Sequence, residues 1–248
     1  MLLNIGSTDA ELRDDLIYTT LSHWIPGESL TVDELQQLLP VILDDQHLQF
    51  KSGETATDSV FTRSFSLLVL PLLFTRHRQS PFLTSRQIHQ IKDKVLDSIL
   101  AERDYRGYDE DKGWAHAIAH GADVLDELAQ CPELDYDDLV NILDVVQAKV
   151  TITERIYSDG EDERLVRPII SVLNRQLLSQ AYVEQWIQGF GEAEKSPDFL
   201  PAFRQRYNIK NFLKSLYFRV KYYKTDAGLC PVIENTLYKV ETVYYASR

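Results

Sequence analysis

At 248 residues, with 44% hydrophobic and 26% charged side chains, the chain is long enough for one large domain or two small ones and too apolar to be disordered. Its formal net charge of −12 argues against nucleic acid as a partner, because an acidic surface repels phosphate backbones. Cys131 and Cys230 stand far apart, which leaves no cysteine metal knuckle or C-x-x-C redox pair, and the longest apolar run, 67–74, is too short to span a bilayer.

Apolar residues recur at helical rather than strand spacing along nearly the whole chain, so the predicted fold is all-α. A first helix is expected over 8–23, with Leu12, Leu16, Tyr18, Thr19 and Leu21 turned inward and Ile25-Pro26-Gly27 ending it. Thr31 followed three residues later by Glu34 has the form of a capping box, and Leu35, Leu38, Leu39, Ile42 and Leu43 continue from it at helical spacing. A third helix, 57–76, is apolar almost all round and is expected to be the most buried, with Pro71 kinking it. Arg63 lies on that segment, where a guanidinium needs a carboxylate or carbonyls beside it. Arg76-His77-Arg78 fall where the helix should end, and cations there offset the carbonyl end of its dipole. A fourth helix covers 84–100, striped by Ile88, Ile91, Val95, Leu96 and Ile99.

The stretch Arg106-Gly107-Tyr108-Asp109-Glu110-Asp111-Lys112-Gly113-Trp114-Ala115-His116-Ala117-Ile118-Ala119-His120-Gly121-Ala122-Asp123 gathers the chemically capable residues. It reads as a loop followed by a fifth helix that starts near Asp111 and stops near Gln130, before Pro132. On that helix Trp114, Ala117, Ile118, Gly121, Val124, Leu125 and Leu128 share an apolar face, while Ala115 and Ala122 form a flank of small side chains. His116, His120, Asp123 and Glu127 lie on the remaining face. Two imidazoles one turn apart with a carboxylate one turn further suit acid–base work or a divalent ion, so His116 and His120 are the catalytic candidates and, with Asp123, the candidate metal ligands. Three ligands at most, and no glutamate between the histidines, argue against a structural metal and against a helical zinc protease, and no cofactor is expected.

Further helices are expected over 135–146, 164–178, 182–190 and 197–224, with 235–245 forming a tenth or an extended tail, and the Tyr and Phe of this end are read mainly as packing residues. The acidic turn 158–163 lacks the alternation of a calcium loop. About ten helices recur in antiparallel pairs of some forty residues. That rhythm predicts a single all-helical domain over 1–248, either a stacked α-α superhelix of the HEAT or armadillo kind or a compact multi-helix bundle.

Phe61-Thr62-Arg63-Ser64-Phe65, then Glu102-Arg103-Asp104-Tyr105-Arg106-Gly107-Tyr108, then Gly113-Trp114-Ala115-His116-Ala117-Ile118-Ala119-His120-Gly121-Ala122-Asp123-Val124-Leu125 resemble the bacterial family catalogued as domain of unknown function 2785, over roughly 30–190. The resemblance implies no activity. It does place Arg63, Arg106, Trp114, His116, His120 and Asp123 in the family's characteristic motifs.

The functional expectation is a cytoplasmic binding module whose site is formed by Arg63, Arg106, Asp109, Trp114, His116, His120 and Asp123. Its partner would be a protein, a peptide or a small anionic ligand held by the arginines. The alternative is a metal-dependent hydrolase, or an enzyme of small anionic ligands, using His116, His120 and Asp123. A third reading makes the same residues purely architectural, with Trp114 filling the core.

Overall fold

A computed structural model describes residues 1–193, 196–223 and 227–242. The described residues form ten α-helices and one small two-stranded ribbon, helix packed on helix, in two compact units, Met1–Leu134 and Asp135–Arg248. The all-α expectation holds.

In the first unit a π-helical run, Glu11–Tyr18, leads into α1 (Thr19–Trp24), followed by α2 (Val32–Ile42), α3 (Ser59–Gln79) and α4 (Ser85–Ala101). The ribbon β1 (Tyr108–Asp109) and β2 (Gly113–Trp114) precedes α5 (Ala117–Ala129). Local chemistry sets several starts. Thr31 with Glu34 and Thr84 with Gln87 close reciprocal capping boxes at α2 and α4. The first helix departs from the expected stripe. Its wider π winding spaces the inner face by four, so Arg13, Ile17 and Leu21 are buried while Leu16 is 55% exposed.

The core of this unit lies between α3 and α5, which run side by side in the same direction. Ser64 meets Ala115 and His120 at one end, and Arg78 meets Glu127 at the other. Phe61, Phe65, Leu70, Leu73 and Phe74 of α3 and Ile118, Ala122, Leu125 and Leu128 of α5 are all buried. Gly121 lets α4 close in: a Cβ there would meet Ile99 Cγ1 at 3.0 Å. The basic run Arg76-His77-Arg78 does fall in the last turn of α3. Arg78 pairs with Glu127, and His77 Nδ1 accepts from the Phe82 and Leu83 amides at 3.0 and 3.1 Å.

The second unit contains α6 (Tyr136–Val150), α7 (Glu161–Arg175), α8 (Gln180–Glu192), α9 (Phe199–Tyr223) and α10 (Cys230–Thr242). Asp135 and Asp138 close a capping box on α6, and α7 starts three residues earlier than expected, with Gly160 at its cap at φ 85°. α7 and α10 pack on α9, and α8 packs on α10. Trp186, Phe190 and Phe212 form its aromatic centre. Asn208 of α9 fastens the 152–157 loop, accepting from the Tyr157 amide at 3.0 Å and donating to the Arg155 carbonyl at 2.9 Å. Residues 243–245, where the tenth helix was expected to end, lie outside the described residues. Cys131 and Cys230 are both free thiols.

The expected start of the fifth helix is corrected. The helix begins at Ala117, not near Asp111, and 108–114 form the antiparallel ribbon instead. Trp114 therefore does not sit on the helix's apolar face; it stands on β2 and is 39% exposed. His116 is not helical either but occupies the cap, at φ 49° and ψ 31°.

Candidate functional site

The ribbon is built by turn chemistry that outcompetes helix propensity. Asp109 Oδ1 accepts from the amides of Asp111 and Lys112 at 3.2 and 3.1 Å, closing the turn with a side chain. Gly113 then takes φ 74°, where a Cβ would lie 3.0 Å from Ala10 Cβ and 3.1 Å from Arg13 Nη2. Tyr108 pairs with Trp114 and Asp109 with Gly113. The pairing continues beyond the strands, as the Ala115 and His116 amides donate to the Gly107 and Arg106 carbonyls at 2.9 and 3.0 Å. One left-handed residue, His116, then turns the chain into α5, and its carbonyl accepts from the His120 amide at 3.0 Å.

Three arginines hold this segment. Arg13, wholly buried, reaches across 99 residues of sequence to donate to the Lys112 carbonyl at 2.7 Å. Its guanidinium also donates to the Ser7 carbonyl and to Asp14, and it lies over the rings of Phe61 and Phe65 at 4.5 and 4.7 Å. Burial pushes the Asp14 carboxyl above its ordinary range, against the pull of Arg13. Arg106 grips Asp104 through Nε and Nη2, touches Asp109 at 3.4 Å and donates to the Thr57 carbonyl at 2.7 Å. Those hydrogen bonds to Asp104 hold its guanidinium still more firmly protonated. Arg63 forms a two-point pair with Glu102, at 2.7 and 2.9 Å, and donates to the carbonyls of Phe50, Lys51 and Glu54. The partner expected for Arg63 is thus Glu102, and its N–H groups are directed into the protein.

On this frame sits a continuous run of rings. Tyr108 meets Trp114 edge-on at 5.0 Å, and Trp114 stacks on His116 at 4.7 Å and 20°. His116 meets His120 at 5.7 Å, and His120 meets Phe65 at 5.4 Å, both edge-on. The run passes from Tyr108 and Trp114, 48% and 39% exposed, to histidines that are almost wholly buried. Ser64 gives its one hydroxyl proton to the Ala115 carbonyl, so His120 Nδ1, 2.7 Å from Ser64 Oγ, must be the donor in that contact.

The structure thus brings Trp114, His116 and His120 together, ties Arg106 to Asp109 beside them, and leaves Arg63 with Glu102 beneath. Asp123 is buried one turn beyond His120. Among the described residues, no three His, Cys, Asp or Glu side chains are placed to hold a metal ion. Sequence reasoning missed Tyr108, Ser64, Arg13, Glu102 and Asp104. For the first, the two glycines bracketing an acidic turn, Gly107 and Gly113, were the available signal. Nothing local distinguishes Arg13 from a solvated arginine.

A family model described as "Protein of unknown function (DUF2785)" matches residues 48–218, running past 190, where the resemblance was expected to fade. No curated protein and no solved structure matches the chain.

Proposed function

The chain belongs to the family of domain of unknown function 2785, and from that starting point we propose that it is a binding module whose recognition element is the 108–114 ribbon. The observation that carries this reading is the pair Tyr108 and Trp114, left half-exposed on a backbone that buried Arg13 and partly exposed Arg106 fasten in place. Exposed aromatic rings on a pre-organised element form binding anchors, because little side-chain or backbone freedom is lost when a partner covers them. The partner is a basic segment of another protein. Glu110 and Asp111 stand exposed at the turn between the two rings, and a Lys or Arg would gain both carboxylate and ring contacts there. Binding is favoured over hydrolysis because the groups a hydrolase would turn to substrate are turned to protein: His120 to Ser64, Arg63 to Glu102 and Arg106 to Asp104.

Titration with an arginine-rich peptide, followed by calorimetry, tests the reading. Trp114→Ala is expected to weaken binding at least about tenfold, since truncating an aromatic anchor costs about 2 kcal/mol or more. Glu110→Gln with Asp111→Asn should slow association and flatten its salt dependence. A peptide affinity unmoved by Trp114→Ala refutes the proposal. Turnover of an ester or phosphoester that vanishes in His120→Ala but survives Trp114→Ala would replace it with the hydrolase reading.

A further inference from the structure

The net charge hides a sharp division. Of the 38 Asp and Glu residues, 22 lie in Met1–Leu134 against 11 Lys and Arg, so that unit carries nearly all of the net −12. In the second unit, α9 is the opposite: six of its 25 residues are Lys or Arg and none is Asp or Glu. Its buried stripe, Gln205, Ile209, Phe212, Leu216 and Val220, faces the unit's core. At about 100° per residue the outward face then reads Phe203, Tyr207, Lys210, Lys214, Phe218, Lys221 and Tyr222, four rings interspersed with three cations. The geometry bears this out. Phe203 and Tyr207 rings lie 4.5 Å apart, Lys210 caps the Tyr207 ring at 5.2 Å, and Phe218 stacks on Tyr222 at 5.8 Å and 14°. Lys210 is neutralised by Glu241. Lys214, further along, stands on the exposed surface, and exposed Lys221 donates to the Tyr217 hydroxyl at 3.1 Å.

At its C-terminal half α9 borders a groove of about 350 Å³, lined among the described residues by Lys214, Phe218, Arg219, Tyr222, Tyr223 and the carboxylate of Glu163 from α7. Phe218, Tyr222 and Tyr223 are 50%, 72% and 67% exposed. Exposed rings of this size are usually covered in use. Rings spaced along a cationic helix match one ligand chemistry: a flexible polyanion whose own flat groups can stack, with phosphates following the cations. A bilayer is a poorer fit, because a flat surface cannot enter a groove between helices and the rings are mostly tyrosines rather than aliphatic wedges. A duplex is poorer too, since its base faces are hidden. We infer that the groove along the C-terminal half of α9 is a binding site for single-stranded nucleic acid, with Lys214 and Arg219 on phosphates and Phe218, Tyr222 and Tyr223 stacking on bases.

Fluorescence anisotropy of the full chain with labelled oligothymidylate or oligouridylate of about 15 nucleotides, enough for one such site, tests this. Two phosphate contacts predict affinity falling about seven-fold between roughly 50 and 200 mM salt, with a log–log slope of about −1.4. Lys214→Glu with Arg219→Glu should abolish binding. Tyr222→Ala should weaken it about tenfold, and Tyr222→Phe should retain it because the ring stays. Glu163→Gln should tighten it. All these side chains lie on the groove's surface, and circular dichroism of each variant should match that of the parent chain. Anisotropy that stays flat at low salt overturns the assignment, as does affinity unchanged in the Lys214→Glu, Arg219→Glu variant. Equal affinity for duplex and single strand removes the stacking role and overturns it as well. Co-sedimentation with phosphatidylserine vesicles, without oligonucleotide binding, would assign the face to membranes instead.

Discussion

Replacing Arg63 by Met should be among the most damaging single changes in the first unit, and the structure says by how much. Arg63 is 2% exposed, and its guanidinium serves Glu102 twice, Ser59 once and three backbone carbonyls in 50–54. Without it, the buried Glu102 carboxylate loses its cation and both guanidinium bonds, while the Arg103 and Asp104 amides still donate to it at 2.9 and 2.8 Å. The uncompensated charge costs about 3 kcal/mol and the stranded carbonyls add roughly 2 more, a total of about 5 kcal/mol. Glu102→Leu should cost about 4 kcal/mol, because the guanidinium keeps its carbonyls. The double variant should cost about 6 kcal/mol rather than 9, a coupling of about 3 kcal/mol. Urea unfolding read by tryptophan fluorescence in a Trp186→Phe background reports on the first unit alone, since Trp24 and Trp114 both lie there. Single costs that simply add, or a loss below about 1 kcal/mol for Arg63→Met, would refute the pair as the support of the 50–54 loop.

Arg13→Met removes the buried link to the ribbon and should cost about 3 kcal/mol, and hydrogen exchange at the Ala115 and His116 amides should accelerate together. Gly113→Ala forces a Cβ into the left-handed region against Ala10 and should cost about 2 kcal/mol in urea unfolding. Arg76 is buried, and its Nε and Nη1 find no acceptor among the described residues, so Arg76→Met should raise the melting temperature by about 3 °C. Burial raises the Glu161 carboxyl above its ordinary value, so its protonated form suits the fold: that contribution is full in acid and is lost as pH rises through the raised value. Thermal melts should therefore show Glu161→Gln gaining on the parent chain between about pH 4 and pH 7, with little difference at the acid end.

Most helices were legible because their causes are local. A capping box such as Thr31 with Glu34 closes within four residues, and stripes such as Ile88, Ile91 and Val95 recur with the helical turn, so no distant partner is needed to read them. The need of Arg63 for a partner was likewise readable from one charge on an apolar segment, although sequence could not say that the partner is Glu102, 39 residues away. The site was legible as a cluster but not as a shape. A helix through Asp111 and Trp114 agrees with propensity. The ribbon prevails through a contact 99 residues long, Arg13 to Lys112, and through a turn that Asp109 closes with its own side chain. The π winding that buries Arg13, the left-handed His116 and the outward turn of Trp114 all follow from that contact network. Composition likewise reported one net charge of −12, while folding decided where the charges stand. Sequence by itself determined which segments coil, because coiling is settled between neighbours; tertiary structure alone decided which side chains meet, because that is settled between residues the chain does not place near one another.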